Sequence, residues 1–224
     1  IIWPGSLGGN NWGSVAIDPA SGIAFVNSSH VLNYNRLIPR DEADRMGLQP
    51  AEIASFESVA GPVPQAGTPY AASVKPFLSP LVAPCTQPPY GLVSAVDLNS
   101  GKLLWQKPFG TARDSGPLLL PLGIPIPMGV PNIGGAVITG SGLAFIGATQ
   151  EHMIRAYDIR SGEELWHGRL PAGGNATPMT YWSGDSGRQF VVIAAGGHGG
   201  ILSGYSNELI AYALPQDARI TGEE

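Results

Sequence analysis

The sequence predicts an all-β chain that forms part of a β-propeller, and three observations carry that prediction. GLVSAVDLNSGKLLWQKPFG at 91–110 is echoed by MIRAYDIRSGEELWHGRLP at 153–171, with Trp105 and Trp166 at matching points 61 residues apart. Repeated strand, turn, strand units of this kind build radial β arrays. Upstream of each tryptophan unit lies a second shared pattern, NWGSVAIDPASGIAFVNSS at 11–29 and NIGGAVITGSGLAFIGAT at 132–149. Each is two apolar runs joined at a Ser-Gly turn, the signal of a hairpin. Finally, Gly 31 and Pro 21 among 224 residues, with 13% charged side chains, is the composition of a turn-rich β architecture.

Four strands make one blade. The first is predicted at 13–18, 23–28, 91–98 and 102–109, and the second at 135–139, 143–148, 153–159 and 163–170. A third copy begins at Thr177 with TPMTYWSGDSGRQFVVIAAGG, continues with NELIAYALP at 207–215, and lacks a fourth, tryptophan-bearing strand. Propellers close into rings of about four to eight blades, so about two and a half blades read as the C-terminal part of a larger ring. The whole chain, 1–224, is therefore taken as one propeller fragment interrupted by an insertion at about 30–90.

Within the insertion, IPRDEADRMGLQPAEIASFES predicts a helix: Asp41, Glu42 and Asp44 follow Pro39, and Gly47 ends the turn. The following GPVPQAGTPYAASVKPFLSPLVAPCTQPPYG carries too many prolines for regular structure and is expected to pack as an ordered cap over one propeller face. Cys85 lies in this stretch and reads as a buried structural thiol.

Several functions are disfavoured. A net charge of −5 without a Lys and Arg cluster lacks the attraction that nucleic-acid binding needs. The apolar run LLLPLGIPIPMGV at 118–130 is broken by prolines and is too short to span a bilayer, and no signal peptide is visible, so any anchor or export signal is expected upstream. His30, His152 and His167 have no metal-ligand spacing. GDSG at 184–187 joins two apolar runs and reads as a turn rather than a protease nucleophile segment. The glycines around His198 lack the strand, G-x-G-x-x-G, helix order of a dinucleotide site.

The repeated A-(V/Y)-D-(L/I)-x-S-G-(K/E)-x-L-W unit, PGSLGGNNWGSVAIDP, PCTQPPYG, GTARDSGP, RLPAGGNATPMTY, VVIAAGGHGG and IAYALP together resemble the C-terminal part of membrane-bound quinoprotein glucose dehydrogenases. Quinate and polyol dehydrogenases of the same membrane-bound group share much of the pattern. The resemblance implies a periplasmic propeller of about eight blades. It also implies pyrroloquinoline quinone (PQQ) and a divalent cation, Mg²⁺ or Ca²⁺, near the axis, and a membrane part that passes electrons to ubiquinone. Sugar or polyol oxidation would couple proton abstraction by an Asp to hydride transfer to the cofactor. The base, the cation ligands and a polarising Lys are expected from segments preceding this chain, so no catalytic residue is assigned within it.

The resemblance carries over to five positions. Asn11 and Trp12, at the NNWG bend, match a motif whose Asn hydrogen-bonds PQQ. Asn132 in GVPNIGG takes the equivalent place in the next blade, with Ile133 where relatives tend to have Trp. His198 in AAGGHGG matches a His near sugar and cofactor, and Glu151 matches an acidic position near the site, so both are expected to bind substrate. A rival reading is a cofactor-free propeller scaffold that binds proteins; it would keep the tryptophan repeat but lack NNWG, RLPAGGNATPMTY and GGHGG. Open edges of an incomplete ring would also favour self-association.

Overall fold

In the computed structural model of the chain, residues 1–48, 61–63, 65 and 67–214 are described. β1 (Val15–Asp18) and β2 (Ile23–Ser29) lead into the insertion, which holds β3 (Asn33–Pro39), α1 (Arg40–Arg45), β4 (Gly61–Val63) and β5 (Tyr70–Pro76). The chain returns through β6 (Gly91–Asp97) and β7 (Lys102–Pro108) to complete an antiparallel sheet ordered β1-β2-β6-β7. The second blade is β8 (Ala136–Ile138), β9 (Leu143–Ile146), β10 (Met153–Asp158) and β11 (Glu164–Arg169) in sequential order. The third has three strands among the described residues, β12 (Met179–Ser183), β13 (Arg188–Ala194) and β14 (Leu209–Ala213).

The repeat is reproduced in detail. Trp105 faces Ala95 and Trp166 faces Ala156, each on the outermost strand and each beside a register shift, at Ala95/Val96 and Ala156/Tyr157. Trp105 meets Phe25 edge-on at 5.9 Å and Trp166 meets Phe145 at 6.3 Å, while each also contacts a tyrosine of the following blade, Tyr157 or Tyr212. Apolar residues therefore meet between blades. Phe25, Val93, Phe109, Ile146 and Ile159 fill the first seam, and Ile154, Leu170, Val191 and Ile193 the second. Full burial of a side chain such as Phe25 contributes roughly 1.5–3 kcal/mol.

The D-x-x-S-G turns share one mechanism. Asp18, Asp97 and Asp158 each accept bonds from the backbone N–H two residues on, at 3.1, 2.9 and 2.8 Å, and from the hydroxyls of Ser21, Ser100 and Ser161. Gly22, Gly101 and Gly162 then take φ of +71°, +67° and +68°, which a glycine adopts without the steric penalty of a Cβ. These bonds hold all three carboxyls below the usual aspartate range, the serine hydroxyl leading at Asp97 and the Ser161 N–H at Asp158. GDSG closes the tight turn between β12 and β13, as its context predicted.

The insertion departs from expectation. Its proline-rich stretch contains two strands in a sheet ordered β3-β5-β4. Prolines are compatible because Pro39 and Pro76 end their strands and Pro62 lies on the edge strand β4, where a missing N–H removes no central ladder bond. The helix is only α1, closed by Gly47 at φ +73°; the remainder of its expected span falls in 49–60, outside the described residues. Cys85 is exposed rather than buried, since its loop runs along the surface.

Antiparallel alternation sorts the connections onto two faces. Tight turns at 19–22, 98–101, 139–142, 159–163 and 184–187 occupy one. The other carries residues 1–14, the described part of the insertion, and the connections 109–135, 147–152, 170–178 and 195–208.

Candidate functional site

All five residues singled out from the sequence fall on the face of long connections, on segments that start or link blade strands. Asn11 opens a tight turn in which its carbonyl accepts the Ser14 N–H at 2.9 Å and its Oδ1 accepts the Trp12 N–H at 2.8 Å. Among the described residues no hydrogen bond occupies the Asn11 Nδ2. Trp12, at the tip, is 57% exposed. Asn10 fastens the turn from below by donating to the carbonyls of Ser14 and Asn27.

The turn has no counterpart in the second blade. Val15 pairs with Val26 and Gly9 with Ser29, whereas Ala136 pairs with Ile146 and Asn132 with Thr149. The first blade thus spends two more residues between bridge and strand, and Asn132 takes the ladder place of Gly9, not of Asn11. This corrects the equivalence expected from the motifs.

Asn132 is 1% exposed, and its amide is engaged at both ends. Oδ1 accepts from Asn27 Nδ2 at 2.7 Å, while Nδ2 donates to the carbonyls of Ser28 and Val130. Its backbone N–H and C=O both meet Ser29 Oγ at 2.8 Å. The result is a buried polar seam between the first two blades.

Glu151 is 2% exposed. Its oxygens accept from the Thr111 N–H and hydroxyl at 2.9 and 2.6 Å and from Arg155 Nη2 at 2.5 Å. Burial works against the charge of Arg155, yet the adjoining Glu151 and Glu164 carboxylates keep its pKa above the usual arginine value. Beside it, Asp114 accepts the His152 N–H at 2.9 Å and a two-pronged contact from Arg169 at 2.6 and 2.9 Å. Burial raises the Asp114 pKa, but Arg169 and the His152 N–H outweigh it and hold the carboxyl low. The GTARDSG segment is thereby pinned to the second blade by the hydrogen bonds of Thr111 to Glu151 and by the Asp114–Arg169 ion pair.

His198 is half-buried at the head of a short turn. Its Nδ1 accepts the Gly200 N–H at 3.0 Å, so in the neutral ring the proton resides on Nε2. Its own N–H donates to Ser203 Oγ at 2.8 Å, and the same hydroxyl lies 2.8 Å from Asn175 Nδ2. Asn175 is 4% exposed and its Oδ1 has no partner among the described residues.

Close backbone contacts join these parts. A Cβ on Gly13 would stand 2.1 Å from the Gly134 carbonyl oxygen, and one on Gly134 would stand 2.5 Å from that of Asn175. The glycines let neighbouring blades touch through backbone, so the Asn11 turn, the Gly134 bend, Asn175, Ser203 and His198 form one continuous band. Asn175, Ser203, Asn27 and Ser29 were not singled out by sequence reasoning. Asn175 stands in the RLPAGGNATPMTY motif, but no spacing distinguished it, and Ser203 carried no signal.

Two four-stranded blades and a third with three described strands, meeting through apolar seams, define a β-propeller class of protein, with its loop-rich face as the candidate site. The glucose/ethanol/alcohol dehydrogenase β-propeller family of PQQ enzymes matches residues 1–191, and the chain belongs to it. It is 44% identical to a glycerol dehydrogenase large subunit of Gluconobacter thailandicus, over 96% of this chain and 30% of that protein. It is 42% identical to a quinoprotein glucose dehydrogenase of Escherichia coli (98% of this chain, 27% of that protein). A probable quinate dehydrogenase (quinone) of Xanthomonas campestris is also 42% identical (96% and 27%). The chain thus spans less than a third of the length of these relatives.

Proposed function

We propose that this chain is the C-terminal part of a PQQ-dependent dehydrogenase that oxidises an aldose such as glucose to its lactone and delivers electrons to ubiquinone on the periplasmic side of a membrane. The observation that carries the reading is the continuous band on the loop-rich face, which gathers Asn11, Trp12 and His198. The relatives named for glucose, glycerol and quinate support the reaction class while leaving polyol or quinate as the alternative substrate. Exposed apolar residues on the outer blades, Val15 and Ile17 on β1 and Trp182 on β12, suit a larger ring in which further blades cover them. They would equally suit contact with a second copy.

The residues present fit the cofactor. Trp12 offers an exposed indole on which a planar ring can stack, Asn11 offers an uncommitted amide donor for an anionic quinone, and the glycine seam brings backbone close without side chains in the way. PQQ would supply the hydride acceptor when bound. His198 presents Nε2–H as a donor to a sugar hydroxyl, while Asn132 and Glu151 act at one remove by holding the seam and the 111–114 segment. The divalent cation would be held by other parts of the enzyme.

The test compares two variants in the enzyme that carries this chain. Asn11→Ala should weaken PQQ about ten- to a hundredfold, the loss of one charge-assisted bond of roughly 1.5–3 kcal/mol. His198→Ala should chiefly raise the sugar KM, since it removes the Nε2–H donor offered to the sugar. Unchanged PQQ affinity in the first, or an unchanged sugar KM in the second, would refute the corresponding role.

A further inference from the structure

Ser203 is buried beneath His198 and closes the 198–203 turn on itself. Its hydroxyl accepts the His198 N–H at 2.8 Å, and its own N–H donates to the His198 carbonyl at 3.3 Å. The same residue ties the turn to the 170–178 connection, because its carbonyl accepts the Gly173 N–H at 2.7 Å and its hydroxyl accepts from Asn175 Nδ2 at 2.8 Å. A further tie runs from the Gly197 N–H to the Gly173 carbonyl at 2.9 Å. Within the turn, the His198 ring is held at Nδ1 by the Gly200 N–H, while Nε2 has no hydrogen-bond partner among the described residues. Where the free nitrogen points is thus set by the backbone of 198–203, and Ser203 and Asn175 locate that backbone.

Two features of this arrangement work against folding. Leu202 takes φ +56°, in the left-handed region that a leucine seldom enters. Asn175, 4% exposed, buries an Oδ1 with no partner among the described residues. A polar atom buried without a partner is unfavourable, and a small apolar side chain at 175 would avoid it. Stability therefore gives no reason for an amide at this position. Backbone held in a sparsely populated conformation persists where its surroundings over-determine it, and such residues cluster at functional sites. Here the surroundings are the ties through Ser203, and the residue they hold in place is His198.

We propose that Ser203 and Asn175 are positioning residues for His198: they fix the place from which its Nε2–H meets a sugar hydroxyl, and so govern sugar affinity through His198. The proposal rests on the sugar-binding reading of His198 above. It adds two residues from different connections, 28 positions apart, to the groups that determine specificity.

The experiment uses the full enzyme loaded with PQQ, with glucose as substrate and a water-soluble dye as acceptor. Ser203→Ala removes the hydroxyl but keeps the carbonyl that accepts from Gly173, and Asn175→Ala removes the amide while leaving Ser203 intact, so each tests the link with a different loss. Each should raise the glucose KM about three- to tenfold, the equivalent of one neutral hydrogen bond, with kcat and PQQ affinity within about twofold. A double-mutant cycle with His198→Ala separates positioning from general weakening: in that background either change should shift KM by less than about twofold, since the residue it positions is gone. Unchanged KM in both single variants would overturn the proposal, and so would an equal rise with and without His198. Hydrogen exchange of the segment 196–204 gives a readout independent of turnover, and Ser203→Ala should speed exchange of the His198 and Gly200 amides about tenfold or more. If His198→Ala itself left the glucose KM unchanged, the sugar-binding reading would fall. The exchange rates would then decide the positioning alone, and unaltered rates in Ser203→Ala would overturn it too.

Discussion

Replacing Glu151 separates a structural role from contact with substrate. Glu151→Ala removes the acceptor for the Thr111 N–H and hydroxyl and for Arg155 Nη2, and leaves Arg155, whose side chain is 6% exposed, with only the Glu164 contact at 3.1 Å. Breaking a buried ion pair by deleting one partner costs about 3–5 kcal/mol, because the remaining charge stays desolvated. For a domain of 150–250 residues each kcal/mol lowers Tm by roughly 2–4 °C, so the loss should be on the order of 6–20 °C. The double change Glu151→Leu with Arg155→Met removes both charges at similar volume and should recover most of it. Thermal unfolding of the three proteins followed by circular dichroism is the assay, with sugar kinetics on the same samples. If Glu151→Ala left Tm within about 2 °C while raising the sugar KM, the carboxylate would be facing substrate and the clamp argument would fail.

The neighbouring clamp should be visible in pH dependence. The folded pKa of Asp114 is depressed, so its contribution is present above the ordinary aspartate range near pH 4 and is lost as pH falls through the lower folded value. Asp114→Asn should therefore flatten the acid limb of a Tm-against-pH curve, and an unchanged limb would show that the Arg169 contact is energetically idle. Trp105→Ala should cost about 3–5 kcal/mol, because the indole donates to the Ile159 carbonyl at 2.8 Å and contacts Phe25 and Tyr157. Trp166→Ala should cost clearly less, the residue being 37% exposed, and equal midpoints in denaturant would contradict that ordering. Gly101→Ala should cost about 1–2 kcal/mol for its left-handed backbone. Gly162→Ala should exceed that in the same titration, since its Cβ would stand 2.5 Å from the Trp105 ring whereas Gly101 has open space.

What the sequence made legible is what the repeat duplicates. Hairpins, D-x-x-S-G turns and paired tryptophans recur with the same spacing, so each copy checks the other, and strand limits follow within a residue or two. The insertion has no second copy, and there the proline count misled: what matters is whether a proline interrupts a central ladder, and Pro62 sits on an edge. The site was half legible for a related reason. Motif matching aligned Asn11 with Asn132, but two additional residues in the first blade lift Asn11 and Trp12 onto a turn while Asn132 sinks to 1% exposure. Which residues of a motif face solvent depends on the count between two ladder contacts, and those contacts are fixed by partners across the sheet, about 10 to 20 positions away in these hairpins. The same reasoning explains why Asn175 and Ser203 went unnoticed. Neither carries a charge or a metal-ligand pattern, and their bond spans 28 positions. It arises because glycines at 173 and 197 let the 170–178 and 195–208 connections pack backbone to backbone. The glycines of GGN and GGH are thus read more usefully as the means of joining two connections than as features of either one.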